Sequence, residues 1–140
     1  MNRFMILGVF LATATACGES GPVVFTEGTF ELRELNGSSL PYDHEGLGCC
    51  TYLDGSLELN NGAYVLEVTA RNRNTGVVFT AREAGSFTQE DGTLTFVRES
   101  FEIQPLLLGQ AAVSGQLITL SFGGEGPGSP DQFRAVFQRV

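Results

Sequence analysis

Few side chains in this 140-residue sequence could carry covalent or metal chemistry: Cys17, Cys49 and Cys50, the single histidine His44, and sixteen Asp and Glu. Asp43, His44, Glu45, Cys49 and Cys50 bring oxygen, nitrogen and sulfur donors into one short stretch, the donor types that zinc takes. The spacing argues against such a site, because structural zinc pairs cysteines with two to four residues between them and adjacent cysteines cannot easily chelate one ion from a strand. His44, Cys49 and Cys50 are therefore weak metal candidates, and no cofactor is called for. A Cys–His nucleophile from the same stretch has no marked orienting group or oxyanion donors. Cys49 and Cys50 leave two further readings open. Strand alternation would make one a buried residue and the other an exposed thiol. An oxidising compartment would instead join them as a vicinal disulfide, reducible because adjacent Cα atoms, about 3.8 Å apart, lie closer than the usual disulfide spacing.

Composition removes other chemistries. All eight basic residues are Arg, so Schiff-base and PLP chemistry, a phosphate loop ending in Gly-Lys and a Ser-Lys dyad are excluded for want of a primary amine. A formal charge of −8 disfavours nucleic acid, whose phosphates are held by clustered Lys and Arg. No carboxylate pair stands out for glycoside cleavage, and a non-enzymatic protein is expected.

The N-terminus says where the chain resides. Met1-Asn2-Arg3 is a positive n-region and Phe4–Leu11 an apolar run too short to cross a bilayer, which needs about 20 residues. The following Ala14-Thr15-Ala16-Cys17 resembles the lipobox of bacterial lipoproteins, with Ala14 where that family favours Leu. The resemblance implies a signal peptide over 1–16, cleavage before Cys17, and fatty acyl chains such as palmitate on that cysteine. The other reading is an ordinary signal peptide cut near Ala16. Residues 17–27 would form a lipidated tether, of which Gly18–Glu27 spans at most about 33 Å. Cleavage removes Arg3 and makes the chain one unit more negative, which opposes flush contact with anionic headgroups. Gly18 stands where an Asp favours inner-membrane retention in well-studied lipoproteins. A cell-envelope address on the outer membrane, facing the periplasm, is expected.

From residue 28 to 140 the pattern is that of one all-β domain. Thr29–Arg33, Ser56–Leu59, Tyr64–Thr69, Thr93–Phe96, Ile118–Phe122 and Phe133–Phe137 alternate polar and apolar residues, as strands with one buried face do. Asn60-Asn61-Gly62, Asn74-Thr75-Gly76, Glu90-Asp91-Gly92 and Ser114-Gly115 are turn signals between them. Eight or nine strands are predicted, over 28–35, 48–59, 63–73, 76–82, 85–89, 92–98, 101–113, 116–123 and 132–139. Pro105 makes Ser100–Gly109 doubtful as helix or central strand. Gly123–Pro130 reads as a loop.

Gly28–Gly37 with Leu40-Pro41, Gly55–Leu59 with Asn61–Tyr64, Gly85–Phe87 with Gly92–Phe96, Ser114-Gly115 before Ile118–Leu120, and the terminal Val136–Arg139 resemble small lipocalin-like bacterial lipoproteins. That resemblance implies an antiparallel up-and-down β-barrel and is nearly silent on chemistry. Closure also follows from the need to remove sheet edges. Residues of one parity, Phe30, Leu32, Leu57, Leu59, Tyr64, Leu66, Val68, Phe79, Leu94, Phe96, Ile118, Leu120, Phe122, Phe133 and Phe137, would point inward. Glu31, Arg33, Glu58, Glu67, Thr69, Arg71, Thr95, Thr119 and Arg134 would point out, the reverse of a membrane-spanning barrel. An eight-stranded interior is either filled or holds one small ligand. Leu57, Tyr64, Leu66, Phe96, Leu120 and Phe137 would line such an apolar site. Three readings stand: a lipid-anchored barrel binding a small apolar molecule, a packed barrel that meets another envelope protein, and a metal or redox protein centred on His44–Cys50.

Overall fold

The computed structural model describes residues 26–43, 49–103, 105–122 and 133–140; Cys17, the signal segment and His44 lie outside them. The described residues form strands and no helix: β1 (Gly28–Leu35), β2 (Ser38–Ser39), β3 (Tyr42–Asp43), β4 (Cys50–Asn60), β5 (Ala63–Asn72), β6 (Val78–Glu90), β7 (Thr93–Glu102), β8 (Leu107–Ser114), β9 (Leu117–Phe122) and β10 (Phe133–Arg139). Eight of them run in sequence as antiparallel neighbours from β4 to β10 and back to β1, which also pairs β4 and closes the barrel. The short β2 and β3 are additions on β1 and β4.

The up-and-down order comes from local chemistry. Asn61-Gly62 and Asp91-Gly92 hold φ of 46° and 78°, and 46° and 76°, the left-handed values that a two-residue hairpin matching strand twist requires. Gly115, at φ 60°, turns β8 into β9. These turns gather at one end, where β1 begins and β10 finishes. The opposite end carries the longer connections.

Closure needs bending, and bulges in β1, β4 and β7 contribute to it, alongside a further register shift between Leu107 and Ala111 of β8. Arg33 in β1, Leu53 in β4 and Glu99 in β7 are each extra against their partner strands. Each bulge also switches which parity faces inward. In β1 the buried positions pass from Phe30 and Leu32 to Leu35, and in β4 from Cys50 to Gly55, Leu57 and Leu59.

Two expected boundaries change. The strands predicted over 76–82 and 85–89 are one strand, β6, because Ala81, Glu83 and Gly85 continue the register against β5 without a break. The single strand predicted over 101–113 is instead divided between β7 and β8. Ile103 turns the chain with φ 74°, a conformation a β-branched residue rarely adopts, and Pro105 follows.

Inside, the predicted inward set packs into one cluster with Leu35, Ala81, Phe87, Leu106, Ala111 and Ala135, which the alternation did not single out. Phe79 is half-buried, and the Phe122 side chain lies outside what is described. The Arg139 guanidinium lies 5.0 Å from the Phe30 ring centroid and covers the core at the turn end. If this interior is filled, Phe96→Ala and Phe137→Ala should each lower unfolding free energy by about 3–5 kcal/mol, and Leu120→Ala by about 2–5 kcal/mol. Urea unfolding should retain a single cooperative transition; uniformly small losses at three separate strands would contradict a packed core.

Candidate functional site

The six residues expected to line a ligand site do come together. Leu57, Leu66 and Phe137 have no exposed surface, and Tyr64, Phe96 and Leu120 are also buried. They face one another rather than an opening: the Tyr64 and Phe96 rings meet edge to face at 4.9 Å, and Phe87 lies 6.1 Å from Phe96 on the other side. Toward the loop end, Phe133 packs against Tyr52 at 4.8 Å and Tyr42 at 6.0 Å.

At the centre of this apolar set lies a carboxylate that the alternation reading missed. Glu83 is 0% exposed and is the buried charged residue among those described. It sits in β6 opposite Leu66 and Phe101. The Tyr64 hydroxyl donates to Glu83 Oε1 at 2.9 Å, and the Leu106 backbone N–H donates to Oε2 at 2.7 Å. The Arg98 guanidinium stands 3.9 Å from Oε2 and 5.3 Å from the Phe101 ring centroid. Burying an ion without such donors would cost several kcal/mol, so these contacts are the condition for Glu83 to occupy the core.

Gly85 makes the arrangement sterically possible. A Cβ there would run into the Val97 carbonyl oxygen and come within 3.0 Å of both the Glu99 nitrogen and Tyr64 Cε1. The missing side chain admits the tyrosine ring on one side and the β7 bulge on the other. The hairpin register places Arg98 opposite Gly85 and the bulge then places Phe101 opposite Glu83, so both lie on the carboxylate's side of the sheet. The sequence carried a signal for this: Phe79, Ala81, Glu83, Gly85 and Phe87 share one parity, and Glu83 stands within an otherwise apolar or small-residue row.

Chemically, Glu83 is a structural acceptor. Its carboxylate has no exposed surface at which a substrate could receive or give a proton. Burial first, and then the hydrogen bond and charge of Glu83, push the Tyr64 phenol well above its ordinary value of about 10 and keep it a neutral donor.

The cysteine pair lies apart from this site. Cys49 and Cys50 are joined as a vicinal disulfide with their Cα atoms 3.7 Å apart. This replaces the reading of one buried residue beside a free thiol. Cys50 is buried and Cys49 exposed, but Cys49 precedes the first ladder position of β4, so strand alternation does not force the two side chains apart. The Arg73 N–H donates to the Cys49 carbonyl at 2.9 Å, and the Arg73 guanidinium pairs with Asp43 at 3.0 Å. Joined sulfurs offer no thiolate to a metal. Among the described residues no three His, Cys, Asp or Glu are placed to hold one.

Tyr64 gives a pH test. Its folded-state pKa is raised, so its contribution to stability is complete below about pH 10 and is lost as pH rises above that value. Unfolding free energy should therefore fall on the alkaline side, and phenolate absorbance should show one tyrosine ionising only as the protein unfolds. Tyr64→Phe should remove that alkaline component while costing about 1–3 kcal/mol at neutral pH, because Glu83 loses a donor. Three tyrosines ionising together in the folded protein would contradict the site.

Compared with known proteins, the chain matches no protein-family model, and no curated protein is significantly similar to it.

Proposed function

We propose that this chain is a lipid-anchored protein of the bacterial cell envelope, and that its barrel is a non-enzymatic, internally packed module that meets another envelope protein. The observation that carries this reading is the mutual packing of Leu57, Tyr64, Leu66, Phe96, Leu120 and Phe137, which occupy the space an apolar ligand would need. Glu83 adds to it, since both of its oxygens already accept hydrogen bonds from within the fold, Oε1 from Tyr64 and Oε2 from Leu106. A barrel of eight strands is small enough for its own side chains to fill.

The anchor at Cys17 rests on the sequence, and the fold is compatible with it. The described chain begins at the turn end, where the Thr26 N–H donates to Gln89 Oε1 at 2.6 Å and Glu27 Oε1 accepts from the Asn61 N–H at 3.1 Å. A tether leaving there points the turn end at the membrane and the loop end, with Cys49-Cys50, away from it. Glu27, Glu58, Glu90 and Asp91 gather near the turn end and favour standing off an anionic surface over lying on it. Glu31, Arg33, Glu67, Arg82 and Arg134 on the outer wall favour water over lipid around the strands.

Two measurements test the proposal. Cys17→Ser should release the protein from the membrane fraction, and the wild-type chain should carry the mass of its acyl chains; a Cys17→Ser protein that stays with membranes would refute the anchor. The folded wild-type protein, analysed by native mass spectrometry, should hold no molecule beyond its anchor. A stoichiometric apolar molecule inside the barrel would refute the packed module and establish the ligand-binding reading.

A further inference from the structure

We propose that the outer edge of β7 from Val97 to Glu102 is a docking edge, and that its occupant is an extended, basic strand of a partner protein. This rests on reading the barrel as an interaction module and names its surface and partner class.

The edge is identified by backbone accounting. On one side β7 pairs with β6 along its length, from Glu90↔Thr93 to Arg82↔Glu102. On the other side, among the described residues, it pairs with β8 only at Thr93, Thr95 and Leu94 between them. Beyond Thr95 the two strands part. A strand held on one edge presents donors and acceptors at the spacing of a further strand, and backbone in extended form is what fits them.

The side chains on this stretch agree. The first four residues of β7 alternate in burial, while the six from Val97 to Glu102 are all exposed. Val97 is 59% and Phe101 50% exposed, and Ile103 just beyond is 62% exposed. By register, Val97 lies opposite Ser86 and Phe101 opposite Glu83, on opposite faces of the sheet. An added strand would thus find apolar surface on both faces as well as hydrogen bonds along the edge.

Charge selects among occupants. Glu99 and Glu102 form no ion pair among the described residues, whereas Arg98 is already directed at Glu83 and Phe101. The available charge on the edge is negative, as is that of the whole chain at −8. A second copy would bring the same acidic edge and the same net charge, so a strand with Lys or Arg beside apolar residues is the better complement. The Glu99 bulge and the two carboxylates also discourage indiscriminate pairing with neutral strands.

The test uses the full lipidated chain in detergent and three short peptides: one alternating Lys and Val, one alternating Glu and Val, and the Lys/Val peptide N-methylated at alternate backbone nitrogens. The Lys/Val peptide should bind about tenfold more tightly than the Glu/Val peptide and slow hydrogen exchange of amides within 97–102. N-methylation should abolish binding, because it removes backbone donors and leaves the side-chain charge. The double variant Glu99→Arg, Glu102→Arg, at exposed positions, should reverse the order of the two charged peptides. Equal binding of the N-methylated peptide, protection confined to other strands, or an unchanged order in the double variant would overturn the proposal. A stable dimer whose β7 amides are protected without any peptide would overturn it in favour of a second copy. None of these outcomes depends on the acyl chains or on what fills the barrel, so failure here leaves the anchored, packed module standing and removes only this edge.

Discussion

The pairing of β1 with both β10 and β4 is the constraint on which the molecule depends. It brings Phe30 opposite Leu57 on one side, and Leu32 opposite Phe137 on the other, so the N-terminal strand completes the wall and contributes to the core. An open sheet of these strands would leave two edges and one apolar face in water; closing it removes both problems together. The bulges at Arg33, Leu53 and Glu99 contribute to the bending, and the tight Asn-Gly and Asp-Gly turns hold neighbouring strands in register.

Within that wall, Glu83 sets the exception to an apolar interior. A carboxylate in a core is tolerated only when donors surround it, and among the described residues these include the Tyr64 hydroxyl of β5, the Leu106 N–H between β7 and β8, and, at longer range, Arg98 of β7. Gly85 admits the tyrosine ring and the bulged backbone that make this possible. The same bulge lies within the exposed end of β7, so the strand that helps to satisfy the buried acid is also the one with a sheet edge available.

The sequence made the barrel legible because turn chemistry and period-two alternation are local. Asn61-Gly62 and Asp91-Gly92 are readable from residue type alone, and Leu57, Leu59, Leu66, Leu94 and Leu120 from their parity. Bulges are not readable in this way, since an extra residue on one strand is defined only by its partner. Leu35, beyond the Arg33 bulge, therefore escapes the parity reading; β6 is unbroken, but Glu83, Ala84 and Gly85 in its middle carry no apolar alternation to show it, and Ile103, an unusual residue at positive φ, gives no warning of the turn there. Glu83 falls between the strands predicted over 76–82 and 85–89 and so carries no assigned face, and what makes it acceptable in the core lies far along the chain: Tyr64, nineteen residues away, and a backbone N–H twenty-three residues away. The cysteine pair was legible as a chemical alternative; its joined form depends on where β4 begins.

Amide hydrogen exchange across the folded barrel tests the central claim, a closed and internally packed wall with one weak seam beside β7. The account predicts that hydrogen-bonded amides along β1–β4 and β4–β5 exchange only through global unfolding, and that the Leu106 amide held by Glu83 shares that protection. Amides of Val97–Glu102 directed away from β6 should exchange at rates close to those of exposed backbone. Fast local opening along β1–β4, or full protection of the outer β7 edge in the isolated protein, would contradict it.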